Sequence, residues 1–231
     1  MNARPRGKRQ LHFAAAGQAA GGRRTNLRLR VIACACACAL LAGCAEPRPR
    51  SVANACEIFS QKIHWYEAAR DSQQRWNIPM ALLLAFVHQE SSFHATARPP
   101  RRRLLGIIPW VRPSSAYGYA QAVDHTWKEY KKETGRTLAR RSNFNDAMDF
   151  IGWYNNKSVR ELGLRRNDAR RLYLAYHEGR NGYRRQSYNA KPWLLKVAQK
   201  VQRRKNAYDK QLKTCDLKPR PWYRKMFDWR L

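Results

Sequence analysis

The sequence predicts an all-α fold, or α with minimal β, on three observations. Residues 80–87, Met-Ala-Leu-Leu-Leu-Ala-Phe-Val, are apolar on every face, which marks a helix buried all round. Three further stretches, within 54–76, within 145–155 and from 192 onward, repeat apolar residues at helical spacing. No stretch alternates as a half-buried strand does, and no internal repeat is present.

Taken in order, the chain opens with a leader. Its first thirty residues hold Arg4, Arg6, Lys8, Arg9, Arg23, Arg24, Arg28 and Arg30 without an acid, and an apolar stretch, 31–41, follows. This is the layout of a secretory signal, and the stretch is shorter than the ~20 apolar residues a membrane-spanning helix needs. Arg23-Arg24 is too ordinary a pair in so basic a leader to indicate twin-arginine export. The run ends Leu41-Ala42-Gly43-Cys44, which resembles the bacterial lipobox. That resemblance implies a signal peptide over 1–43 and an acylated Cys44; the alternative is cleavage at small residues with no lipid. Residues 44–53, polar and punctuated by Pro47 and Pro49, read as a short tether. By the same resemblance, Ala45 is not the aspartate of inner-membrane retention, so a lipid anchor on the periplasmic face of the outer membrane is expected.

The 231 residues suit one domain, over 54–215, behind this leader. The net charge is +30, of which the leader holds eight, leaving a strongly basic domain. Such a surface suits polyanions or anionic lipid. An exported protein would rarely meet DNA, whereas the cell-wall polymer carries carboxylates, so nucleic acid is not the expected partner. Of six cysteines, Cys34, Cys36 and Cys38 leave with the leader and Cys44 would be acylated. Cys56 and Cys215 remain as an even pair in an oxidising compartment, so a disulfide between them is expected, two buried thiols being the alternative.

Ile58, Ile63, Tyr66, Ala69 and Trp76 predict one amphipathic helix within 54–76. Asn77 is placed to cap the next helix, with Pro79 at its first position, where a missing N–H costs nothing. Residues 97–115 hold Pro99-Pro100, Arg101-Arg102-Arg103, Pro109 and Pro113, a composition that disfavours regular structure and predicts a long loop beside the site. Its apolar patch 104–108 with Trp110 would cover part of a groove or dip towards lipid, a floppy basic insertion being the alternative. Met148, Ile151 and Tyr154 share a face within 145–155, and a further helix over 168–177 has Asn167 as its cap. The last helix opens at Pro192, with Trp193, Val197, Val201, Tyr208 and Leu212 on one face and Lys and Arg on the other. The tail, 216–231, mixes Trp222, Tyr223, Phe227 and Trp229 with basic residues, suited to an interface or to packing back on the domain.

The candidate for chemistry is Glu90, at the end of the apolar run. Desolvation and the negative end of a helix dipole would both raise its pKa, and a Glu that keeps its proton near neutral pH can act as a general acid. The alternative is a solvated Glu at a helix end. Three motifs follow in order: Glu90-Ser91-Ser92-Phe93, Ala116-Tyr117-Gly118-Tyr119-Ala120-Gln121 and Leu174-Ala175-Tyr176-His177-Glu178-Gly179. Together they resemble the soluble-lytic-transglycosylase (SLT) domain of the lysozyme-like superfamily, with its Glu-Ser-x-Phe, Gly-Leu-Met-Gln and Ala-Tyr-Asn-x-Gly motifs.

The resemblance implies a lysozyme-like helical domain in which Glu90 is sole acid/base, Ser92 orients the carboxyl or substrate, Gly118 and Gln121 line a glycan cleft, and Tyr176 hydrogen-bonds near Glu90. It implies peptidoglycan glycan strands as substrate, cleaved between N-acetylmuramic acid and N-acetylglucosamine with 1,6-anhydro ring closure, and leaves room for partners in an envelope machine. Tyr119-Ala120 stand where the family has Leu-Met, and His177 where it has Asn, which bears on the glycan subsites. Glu178 and Asp124 are the other acids to weigh. Glu178 facing Glu90 would favour a lysozyme-like hydrolase, and a wall-binding lipoprotein without activity is a third reading. His88, His125 and His177 have no metal-binding spacing, so neither a zinc amidase nor any cofactor is expected.

Overall fold

The computed structural model describes residues 46–100, 103–104, 108–109 and 114–218. The leader, Cys44, the patch 105–107 with Trp110, and the tail aromatics lie outside the described residues. Among the described residues seven helices follow one another: α1 (Ala55–Gln61), α2 (Ile63–Trp76), α3 (Met80–Ser91), α4 (Asp124–Thr134), α5 (Phe144–Leu162), α6 (Ala169–Arg184) and α7 (Pro192–Leu212). A 3₁₀ turn, Ser187–Ala190, links the last two. The described fold is all-α apart from one antiparallel hairpin of two-residue strands, β1 (Arg103–Leu104) and β2 (Ile108–Pro109). This hairpin corrects the reading of 97–115 as loop throughout; Pro109 sits in it as the partner of Arg103, at the edge position a proline tolerates. No helix among the described residues is long and apolar enough to cross a membrane.

α3 is the central element, packed against α7, α2 and α5. Every residue from Ala81 to Val87 is buried. Each large side chain in that run contributes about 1.5–3 kcal/mol by leaving water. Pro79 stands just before the helix with ψ 135°, and its carbonyl accepts from the amides of Leu82 and Leu83. Asn77 does not cap α3; it turns left-handed (φ 54°) to close α2, and Gln73 Oε1 takes the Met80 amide at 2.7 Å instead.

The expected single helix over 54–76 is two, broken at Lys62 (φ −136°, ψ 69°). Glu46, in the predicted tether, meets Lys62 Nζ at 3.0 Å, His64 Nε2 at 2.8 Å and Trp65 Nε1 at 2.9 Å. Burial alone would raise its pKa, but these donors outweigh it and hold the carboxyl down at about 2. The tether is therefore docked from Glu46 onward. Pro49 is buried, the Tyr208 hydroxyl donates to the Val52 carbonyl at 2.5 Å, and the Ala55 amide donates to Gln211 Oε1 at 2.8 Å. The Cys56–Cys215 disulfide closes the same junction of α1 with the end of α7.

Asn143 caps α5 through the Asp146 amide at 3.1 Å, and α5 runs well past the predicted 145–155. α6 is capped by Asp168, not Asn167, at 3.0 Å from the Arg171 amide. It continues beyond 177 across a non-helical Gly179 (φ 73°, ψ 158°), a conformation only glycine adopts readily. α7 opens at Pro192 as predicted, but its buried face is Leu194, Ala198, Val201, Lys205 and Tyr208; Trp193 points outward. α4 had no sequence expectation. Asp149 ties it in, accepting from Tyr130 Oη at 2.7 Å and from Trp76 Nε1 at 2.9 Å.

Candidate functional site

Glu90 occupies the last turn of α3, and the chain reverses directly after it. Ser92 (φ 48°) and Phe93 (φ 65°) are both left-handed, a conformation that costs non-glycine residues about 1–3 kcal/mol each. The turn is held by what Phe93 gains: its ring is fully buried, stacked on Trp65 at 5.8 Å, and Trp65 stacks in turn on Phe144 at 3.9 Å. Ser92 Oγ donates to the His88 carbonyl at 3.3 Å, closing the helix end.

The second motif forms a tight turn between Tyr117 and Ala122, whose backbones bridge. The Gly118 amide donates to the Ala97 carbonyl at 3.0 Å, and the Tyr119 amide to the Arg141 carbonyl at 3.2 Å. Gly118 has φ +78°, and a Cβ there would lie 2.0 Å from the Arg141 carbonyl oxygen. Only glycine fits, and it does so as backbone packing; Gly118 is not among the residues lining the cleft. Gln121 is: its Nε2 donates to the Ala97 and Gly118 carbonyls, both at 2.9 Å. Tyr119 and Ala120, the departures from Leu-Met, are fully buried, with the Tyr119 ring edge-on to Trp65 and Phe144. They leave the cleft surface untouched.

The third motif lies on α6. Tyr176 Oη donates to the Ala120 carbonyl at 2.6 Å, so the third motif is bolted to the second. The hydroxyl that hydrogen-bonds Glu90 belongs to Tyr173, one turn earlier on the same face. Tyr173 escaped the sequence reading; its i, i+3 spacing from Tyr176 was the available signal. Tyr176 still packs against Phe86 and Tyr154, at 5.2 and 4.9 Å, and feels the Glu90 charge.

These elements enclose a cleft of about 400 Å³, the size of a small-ligand site, lined by Glu90, Gln121, Tyr154, Tyr176, His177 and Glu178 among others. Burial among α3 and α6 side chains pushes the Glu90 carboxyl up to about 7, and the Tyr173 hydrogen bond restrains the shift. Burial is one of the two causes expected from the sequence, the other being the negative end of the helix dipole. A carboxyl titrating there can give a proton and take it back at neutral pH.

Glu178 behaves in the opposite way. Its side chain is 4% exposed, yet Lys191 Nζ lies 2.7 and 3.0 Å from its two oxygens, His177 Nδ1 lies 3.0 Å away, and the Ser187 hydroxyl donates to it as well. Burial would raise its pKa, but Lys191, Ser187 and His177 prevail and hold it at about 2. Asp124 is paired with Arg141 at 2.8 Å. His88 is kept neutral, down at about 4, by burial and then by the charges of Arg204, Lys200 and Arg48. No cluster of His, Cys, Asp and Glu among the described residues has the makings of a metal site.

No curated protein matches the chain. Residues 32–215 match a family described as the transglycosylase SLT domain, a span that includes α1 to α7 and all three motifs. The chain therefore belongs to the transglycosylase SLT domain family, whose activity is of the lytic-transglycosylase type and is directed at peptidoglycan.

Proposed function

We propose that the protein cleaves the β-1,4 bond between N-acetylmuramic acid and N-acetylglucosamine, with Glu90 as the single acid/base and a 1,6-anhydromuramyl end as product. One observation carries the reading: the cleft holds one carboxyl poised near 7, while its other carboxyl, Glu178, is locked as an anion by three partners. Protonated Glu90 gives its proton to the glycosidic oxygen as the C1–O4 bond breaks. The substrate's own acetamido oxygen bonds C1. The muramyl 6-hydroxyl then attacks C1, the acetamido oxygen departs, and the hydroxyl proton returns to Glu90. The cycle regenerates the acid without a second carboxylate, unlike the two-carboxyl scheme of most glycosidases.

Tyr173 steadies the carboxylate between the two transfers, and Gln121 presents its side chain along the glycan. Ser92 serves through the turn that sets Glu90, and Tyr176 through its bond to the Gln121 turn. A hydrolase would need a free carboxylate to activate water, and the ties on Glu178 argue against that role. Acylation of Cys44 belongs to this reading. With Glu46 docked, only Ala45 would separate the lipid-bearing residue from the domain, which would sit close against a membrane, the outer membrane by the lipobox argument.

The test is mass analysis of muropeptides released from purified sacculi by the protein and by its Glu90→Gln variant. Anhydro-muropeptides from the unmutated protein alone are expected. Reducing-end muramyl products would make it a hydrolase, and no release by folded protein would leave a wall-binding lipoprotein.

A further inference from the structure

Among the described residues three large apolar side chains are strongly exposed: Val123 at 37%, Leu138 at 90% and Trp193 at 54%. One of the three lines the cleft and a second adjoins a lining residue. Val123 lines it, and Trp193 stands edge-to-face against His177, itself a lining residue, with ring centroids 5.3 Å apart. Trp193 is not on a frayed end. Lys191, two residues before it, is gripped by Glu178, and Leu194, the next residue, is fully buried. The indole is thus held outward from both sides. An aromatic ring so fixed loses little freedom on binding and offers a flat apolar face.

His177 supplies the polar half. Its Nδ1 lies 3.0 Å from a Glu178 oxygen, and an ionised carboxylate only accepts, so Nδ1 carries the proton. In the neutral ring Nε2 is then an acceptor, and it makes no hydrogen bond among the described residues. A flat apolar face beside a hydrogen-bonding ring complements a pyranose, which has one face of C–H groups and a rim of hydroxyl and acetamido groups.

We propose that Trp193 and His177 form an outer sugar subsite at the rim of the cleft, Trp193 stacking on a pyranose face and His177 bonding its acetamido or hydroxyl group. The sugar held there is not one of the two joined by the bond that Glu90 attacks, because Trp193 is not among the residues that line the cleft with Glu90 and adjoins it through His177. The inference rests on the glycan reading above.

The test is calorimetric titration of the Glu90→Gln protein, which binds without turnover, with an uncrosslinked peptidoglycan octasaccharide and with its disaccharide. The octasaccharide is expected to bind more tightly. Adding Trp193→Ala should weaken it about tenfold, leave the disaccharide within about twofold, and leave the thermal midpoint in place, while Trp193→Phe should keep most of the affinity. Unchanged octasaccharide affinity in Trp193→Ala would overturn the subsite and leave the glycan reading standing. An equal loss for both sugars would overturn its outer placement. Folded Glu90→Gln protein that binds neither sugar would overturn the glycan reading, and the subsite with it.

Discussion

Replacing Glu90 by glutamine should make the folded protein more stable at neutral and alkaline pH. The carboxyl titrates at about 7 in the fold against 4.5 in a solvated chain, because burial penalises its charge. Below pH 4.5 it is protonated in both states and the penalty is absent. Between 4.5 and 7 the unfolded chain releases a proton that the fold retains, so stability falls as pH rises, and above 7 the loss is complete. At 1.36 kcal/mol per pH unit, the full loss is about 3 kcal/mol, an upper bound for a group at a cleft wall. Glutamine carries no charge at any of these pH values and still accepts from Tyr173. The variant should therefore match the parent at pH 4 and exceed it by up to ~3 kcal/mol at pH 8, or about 6–12 °C in melting temperature for a domain of this size. Calorimetric or urea unfolding across pH 4–9 reads this directly. Equal stability at pH 8, or a difference that does not change with pH, would refute the claim that Glu90 is desolvated. In the same pH window the parent's kcat/KM should fall about tenfold per unit above pH 7, as the protonated fraction disappears.

Three further outcomes follow from named contacts. Tyr173→Phe removes the hydrogen bond that restrains the Glu90 shift, so the alkaline limb of the pH–rate profile should move to higher pH with KM nearly unchanged; a limb that stays in place would separate Tyr173 from the carboxyl. Glu46→Gln should cost about 1–2 kcal/mol at pH 7 by urea unfolding, discounted because the carboxylate is 30% exposed. Its contribution is present above pH 4.5 and lost as pH falls through about 2, so the variant and parent should converge in acid. Gly118→Ala places a left-handed alanine against the Arg141 carbonyl and should destabilise by about 3 kcal/mol, with activity falling alongside thermal stability as the Gln121 turn is displaced.

What the chain determined alone was local and periodic. Eight consecutive apolar residues marked a buried helix, Pro192 marked the opening of another, and Glu90 at the end of the apolar run stood as a candidate for desolvation, with a solvated helix-end Glu as the alternative. The three motifs, read by order and spacing, pointed to one site and one family, and the compartment argument paired Cys56 with Cys215. Tertiary structure decided which hydrogen bonds connect distant segments. Whether Tyr173 or Tyr176 reaches Glu90 depends on the rotation of α6 over α3, and both share one face in the sequence. Glu46 looked like tether because its partners, Lys62, His64 and Trp65, are brought together where the chain breaks at Lys62 between α1 and α2. Trp193 fitted the apolar spacing of α7 yet stands outside the buried face, because packing buries Leu194 instead. Glu178, open to either role by sequence, became a bound anion because the 3₁₀ turn and the start of α7 bring Ser187 and Lys191 onto it. Periodicity reports which face is apolar; the partner of each polar group is set by the geometry with which those faces meet.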